Sequence, residues 1–192
     1  MLLESNMPWS RILISSEQLE MIVSDLARKI HSVYNNMDNC LVLVMLDGAK
    51  YFAKDLLANL ELPFEIAYVK ASSYSGTNST GTVKTDKKDT LHEKFCGKNI
   101  LLIDDIYDTG LTLSHILEWI SSCQPESIAT CVLLEKEIEH MKKIDIDFLG
   151  VKIENVFAIG YGLDFEGQYR ELPFIGELSE ECVRQNASAH KA

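Results

Sequence analysis

At 192 residues, 46% of them hydrophobic and 24% charged, the chain has room for one domain with a real core and little room for two. A formal charge of −11 argues against binding a nucleic-acid backbone, whose affinity comes mainly from Lys and Arg neutralising phosphates. No run nears the ~18 apolar residues of a membrane span, and residues 1–14 lack a basic-then-apolar leader pattern, so a cytoplasmic protein without membrane attachment is expected.

Residues 15–35 predict a helix. Leu19, Ile22, Val23, Leu26, Ile30 and Val33 recur at three- and four-residue spacing, and Ser15 with Gln18 forms a capping box. Residues 41–46, all apolar, predict a strand buried on both faces, as parallel strands usually are, ended by Asp47-Gly48. Residues 49–60 predict a second helix with Phe52, Leu56 and Leu60 on one side. After Pro63, residues 64–71 predict another strand. Residues 72–89 are Ser, Thr, Gly, Asn, Lys and Asp with almost nothing to bury. That is too polar for a core and long for an idle connection.

Residues 99–103 predict a second buried strand, followed by Asp104-Asp105 and a helix over about 111–122. Residues 127–134 predict a third such strand and 156–159 a fourth. Strands alternating with helices indicate an α/β fold with a mostly parallel central sheet flanked by helices. In such sheets ligands bind beyond the carboxyl ends of the strands. Asp47-Gly48, residues 104–112 and Glu135-Lys136, distant in sequence, should therefore face one crevice. Neither an internal repeat nor a linker divides the chain, and residues 1–192 read as a single domain.

The five cysteines are odd in number and show no CxxC spacing, and the five histidines show no ligand spacing. Cys40 and Cys131 lie in apolar runs and read as buried structural thiols. No GxGxxG follows a predicted strand, which sets aside a dinucleotide-binding oxidoreductase.

The most informative segment is Ile100-Leu-Leu-Ile-Asp-Asp-Ile-Tyr-Asp-Thr-Gly-Leu-Thr112. A buried strand ends in two acids, and a short loop opens a helix whose N-terminus offers unpaired N–H groups and a partial positive charge. Gly110 lets the backbone approach a ligand, and Thr109 and Thr112 add hydroxyls, which suits a phosphate monoester. Asp104 and Asp105 suit the two vicinal hydroxyls of a sugar, or direct or water-bridged binding of Mg²⁺. Asp108 lies between them and the phosphate loop as a possible base. Helix capping alone explains neither consecutive acid.

This segment resembles the diphosphate-sugar binding motif of the type I phosphoribosyltransferases. Three more segments resemble the hypoxanthine-guanine branch: Ala71-Ser-Ser-Tyr-Ser-Gly-Thr-Asn-Ser-Thr-Gly-Thr-Val-Lys84, Val132-Leu-Leu-Glu-Lys136, and Val156-Phe-Ala-Ile-Gly-Tyr-Gly-Leu-Asp-Phe-Glu-Gly-Gln-Tyr-Arg170 continuing to Gly176. The resemblance implies a flexible lid over residues 72–89 and a small hood from the N- and C-terminal segments, residues 155–178 included. It also implies a homodimer or homotetramer. The implied reaction transfers the 5-phosphoribosyl group of 5-phosphoribosyl 1-diphosphate to N9 of hypoxanthine or guanine, with xanthine open. IMP or GMP and pyrophosphate would result, with Mg²⁺ as cofactor.

Carried across by resemblance, Asp104 and Asp105 hold the ribose hydroxyls and help place Mg²⁺. Residues Asp108, Thr109, Gly110, Leu111 and Thr112 hold the 5′-phosphate, and Asp108 accepts the purine N7 proton. Lys136 donates to the 6-oxo group, Phe157 stacks on the base and the Phe157–Ala158 backbone reads its edge. Asp164 helps bind a second Mg²⁺, Arg170 contacts pyrophosphate, and Ser73 and Tyr74 cover the reactants. Without the family, Lys136 reads equally as a solvated lysine between Glu135 and Glu137, and Phe157 as a core aromatic. One departure stands out: the pyrophosphate loop usually carries a basic residue before its glycine, and here it is Leu46-Asp47-Gly48. An acid there repels pyrophosphate unless Mg²⁺ intervenes or the side chain turns away. It gives some weight to a rival reading, a non-catalytic sensor of the diphosphate sugar; another rival is transfer to a different base.

Overall fold

The computed structural model describes residues 7–70 and 93–189. The expected lid, with Ser73 and Tyr74, lies outside the described residues. Five strands, β2 (Cys40–Leu46), β3 (Glu65–Lys70), β4 (Asn99–Tyr107), β5 (Ser127–Lys136) and β6 (Phe148–Ile153), form one sheet in the order β3-β2-β4-β5-β6. Every neighbouring pair in it is parallel. Residues 41–44 and 100–103 are fully buried, which is why these strands read as unbroken apolar runs: both faces are covered. β3, at the sheet edge, alternates instead, with Ala67 and Val69 inward and Ile66 and Tyr68 outward.

The first long helix, α1 (Ser16–Tyr34), opens on the expected capping box at Ser15 and buries Leu19, Val23, Leu26, Ala27, Ile30 and Tyr34. Val33 points to solvent, because the buried stripe drifts to Tyr34, one residue on. α1 packs against α2 (Lys50–Leu60) and β6. α2 buries Phe52, Ala53, Leu56 and Leu60, and α3 (Leu111–Ser122) buries Leu113, Ile116 and Ile120. Cys131 is fully buried as expected, whereas Cys40, at the exposed start of β2, is only half-buried.

A second, antiparallel sheet of three strands joins β1 (Trp9–Ile14), β8 (Ile175–Leu178) and β7 (Ala158–Ile159) in the order β1-β8-β7. This is the hood expected from the two ends of the chain. Residues 156–159, expected as a fourth buried strand of the main sheet, supply only two residues of this hood. The place beside β5 belongs to β6, whose short, glycine-bearing FLGVKI sequence gives little period-two signal. A final helix, α4 (Glu180–Ala189), follows β8.

Candidate active site

β4 runs to Tyr107, so Asp104 and Asp105 lie on the strand itself, four residues further along than the apolar run suggested. Likewise β5 continues through Glu135 and Lys136. The acids are thereby held by ladder geometry rather than by a mobile loop. A cavity of ≈ 230 Å³ opens at this end of the sheet, lined by Leu46, Gly48, Asp104, Asp105 and residues 106–110 with Thr112 and Leu113. The 46–48 turn and the 104–112 segment, nearly sixty residues apart, thus share one pocket.

The two acids are in contact within it. Asp104 Oδ1 accepts from the Asp105 N–H at 3.0 Å, and Asp105 Oδ1 accepts from the Ile106 N–H at 3.1 Å. Burial first, then repulsion from Asp105, pushes the Asp104 carboxyl well above the ordinary carboxylate range. Burial raises Asp105 too, offset by hydrogen bonds from Asp104 and the backbone and by the charge of Arg170. A buried carboxyl touching a half-buried one resists double ionisation unless a cation joins them. The donor set therefore fits a divalent ion. Among the described residues no trio of His, Cys, Asp and Glu forms a cage.

Asp105 also explains Gly48. A Cβ on Gly48 would fall 1.8 Å from Asp105 Oδ2, so only glycine lets the turn lie against that carboxylate. The Gly48 carbonyl in turn abuts Gly162, where a Cβ would lie 2.0 Å from it and φ is +105°. Turn, strand acids and hood are stacked without spare space. Arg170 completes the stack: it donates to the Gly162 carbonyl and pairs with Asp164 at 2.7 Å. The other Asp164 oxygen accepts from the Gly167 N–H at 2.7 Å.

On the opposite side of the pocket, Gly110 in the left-handed conformation (φ 82°) opens α3, and no side chain caps it. The first turn also contains no acid, and of its N–H groups that of Leu111 alone meets a side chain, in a long 3.5 Å bond to Thr109 Oγ1, so its positive end can still receive an anion. The Thr109 carbonyl accepts from the Lys142 N–H at 3.1 Å. Tyr107 donates its hydroxyl to the Lys142 carbonyl at 2.7 Å and accepts from the Ile144 N–H at 3.0 Å. The stretch after β5 therefore clasps the 107–110 loop from outside.

Lys136 reaches Asp108 at 2.8 Å, with its side chain only 13% exposed; it is not a solvated lysine. Phe157 is 51% exposed and meets Phe165 edge-on, so it is not a core aromatic either, while Ala158 is buried on β7. Sequence reasoning missed His140, which hydrogen-bonds the Asp108 carbonyl, lies 3.4 Å from Glu135 Oε1 and stacks on Tyr107 with centroids 4.0 Å apart. A lone histidine in a polar stretch carries no spacing signal that could have found it. Lys70 was missed as well: it pairs with Asp47 at 3.3 Å, and nothing in the sequence joins positions 23 residues apart until β2 and β3 are aligned.

Residues 9–166 match the phosphoribosyl transferase domain family. The chain is 36% identical over 178 residues to the hypoxanthine-guanine phosphoribosyltransferase of Dictyostelium discoideum, covering 91% of this chain and 98% of that one. It is 36% identical over 173 residues to the hypoxanthine-guanine-xanthine phosphoribosyltransferase of Tritrichomonas foetus, covering 88% and 92%. The structure of the Trypanosoma cruzi hypoxanthine phosphoribosyltransferase in complex with its product IMP superposes with a TM-score of 0.81 at 27% identity, covering 97% and 100%. With that fold, that pocket and these relatives, the chain belongs to the phosphoribosyltransferase family, in its hypoxanthine-guanine branch.

Proposed function

We propose that this protein is a purine-salvage enzyme that transfers the 5-phosphoribosyl group from 5-phosphoribosyl 1-diphosphate to N9 of hypoxanthine or guanine, yielding IMP or GMP and pyrophosphate. The observation that carries the choice of base is the Lys136–Asp108 pair at 2.8 Å. O6 and N7 are neighbours on one edge of a 6-oxopurine. A lysine beside a carboxylate complements that edge when N7 bears a proton: Lys136 donates to O6 and Asp108 accepts from N7–H. Adenine presents an amino group at position 6, a donor that would oppose the ammonium.

In this reading the open N-terminus of α3 with Thr109 and Thr112 holds the 5′-phosphate, and Asp104 and Asp105 orient the ribose. Asp108 draws off the N7 proton as N9 attacks the anomeric carbon. Phe157 offers an exposed ring for the base to stack on, beside the Ala158 backbone. Bound Mg²⁺ would neutralise the diphosphate and improve it as a leaving group. Asp104 and Asp105 would help hold that ion; a second ion at Asp164 would share its carboxylate with Arg170, using the lone pairs left over. Arg170 would contact the departing pyrophosphate. Relatives and substrates of this kind also suggest a cytoplasmic homodimer or homotetramer; no described helix is long and apolar enough to cross a membrane.

The test mixes protein, the diphosphate sugar and each of hypoxanthine, guanine, xanthine and adenine, with and without Mg²⁺, and follows nucleotide by chromatography. IMP and GMP should form only with Mg²⁺, and adenine should give none. Xanthine is included because the Tritrichomonas foetus relative is named for it. No nucleotide from any 6-oxopurine would refute the function and favour a non-catalytic sensor.

A further inference from the structure

The pyrophosphate turn carries an acid, Asp47, where a cation would be expected to serve the leaving group. This turn cannot swing away to relieve the repulsion. Gly48 lies against Asp105, and its carbonyl abuts Gly162, so the backbone of 46–48 is locked between the strand acids and the hood. The side chain of Asp47 has turned instead to the β3 side. There it lines a groove of ≈ 730 Å³ with Lys50, Tyr51, Lys54 and Tyr68, and it accepts from Lys70 Nζ at 3.3 Å. The parallel register sets Lys70 directly beside Leu46. Both strands end together at the crevice, and the last residue of β3 is within reach of the first residue past β2.

We propose that Lys70 is a positioning residue for the diphosphate: it holds the Asp47 carboxylate away from the turn and cancels its charge, so the turn can receive the diphosphate through its backbone N–H groups. The inference rests on the phosphoribosyl-transfer reading. It assigns the electrostatic role of the usual basic residue to a neighbouring strand, with Asp47 and Lys70 acting as a neutral pair. Both side chains are about half exposed, so each contributes a screened but nonzero field at the turn.

Because the two charges are opposite, removing them should have opposite effects. Lys70→Met leaves Asp47 uncompensated and should raise the KM for the diphosphate sugar about three- to tenfold, with the KM for hypoxanthine unchanged. Asp47→Asn frees Lys70 and should lower the diphosphate KM about two- to fivefold. Lys70→Arg should stay within about twofold of the unaltered protein and the double variant Asp47→Asn/Lys70→Met within about threefold, while 0.5 M salt should compress all the shifts. The same order should appear in calorimetric binding of pyrophosphate with Mg²⁺, which needs no turnover. If the unaltered protein makes no nucleotide, the functional reading fails while the calorimetric order still judges this pair. Shifts of the same sign for Lys70→Met and Asp47→Asn, or no shift beyond twofold in either, overturn the proposal, since a merely structural ion pair loses equally from both sides.

Discussion

Substituting Gly48 by alanine tests whether the stacked turn, strand acid and hood form the sugar-diphosphate site. The backbone of Gly48 is not in the left-handed region, so alanine meets no conformational penalty, and the effect comes from one methyl group. That methyl would sit 1.8 Å from Asp105 Oδ2 and 2.6 Å from its Cγ, where ordinary contact starts at 3.4 Å. A gap of about 1.6 Å must open, and the Gly48 carbonyl is already pressed on Gly162, so the half-buried Asp105 carboxylate has to yield. Overpacking of this kind costs about 1–3 kcal/mol, or roughly 2–12 °C in Tm for a chain of this size. A misplacement of ~1 Å at a catalytic constellation costs about a hundredfold in rate. Gly48→Ala should therefore lower kcat/KM for the diphosphate sugar about a hundredfold, while scanning fluorimetry shows a folded protein with modestly reduced Tm. Gly97→Ala is the control: its Cβ meets nothing within 4 Å, at the far end of β4, so the left-handed φ of +66° should cost about 1–2 kcal/mol of stability and no activity. Gly48→Ala with unchanged kcat/KM would refute the close stacking and the role given to Asp105.

Asp108→Asn should bind both substrates yet form nucleotide about 10²- to 10⁴-fold more slowly, measured in single turnovers; an unchanged rate would remove Asp108 as the proton acceptor. Lys136→Met should raise the KM for hypoxanthine about ten- to a hundredfold, as expected for a lost charged hydrogen bond, and leave the diphosphate-sugar KM nearly alone; equal shifts in both would place Lys136 outside base recognition. Asp104→Asn should abolish activity but raise the Tm of the substrate-free protein at neutral pH by a few degrees, because it removes one of two like charges buried together. With its carboxyl raised in the folded state, Asp104 binds more protons folded than unfolded. The unaltered protein should then lose stability as pH rises from about 4 through that raised value, and Asp104→Asn should flatten the slope; a slope unchanged by the substitution would show that the pair is not its source.

The largely apolar runs at residues 41–46, 99–103 and 127–134 were enough to announce a parallel sheet, because a strand covered on both faces has no solvent side, and a polar residue inside it, as at Thr130, needs hydrogen-bond partners. The same logic failed for β1, β6 and β8. β1 and β6 are edge strands with a poorly buried face, and β8 is only four residues long, so neither period nor continuity marks them. At the site, the 104–112 segment was legible because its chemistry is local: strand, acids, glycine and helix start are consecutive. Convergence across the chain was not. Lys136 and Phe157 were each as readable as a surface lysine and a core aromatic, and only burial and contact with Asp108 or exposure of the ring separates those readings.

By itself, the sequence determined the fold class, the buried strands and main helices of the central sheet and the strand–loop–helix of residues 100–112, since hydrophobic periodicity and consecutive motifs depend on near neighbours in the chain. Tertiary structure alone decided what faces what: Gly48 against Asp105 and Gly162, Lys136 beside Asp108, His140 over Tyr107, and Lys70 beside Asp47. These depend on strand order and register, which bring distant residues within a few ångströms, and charge and steric fit act only at that range.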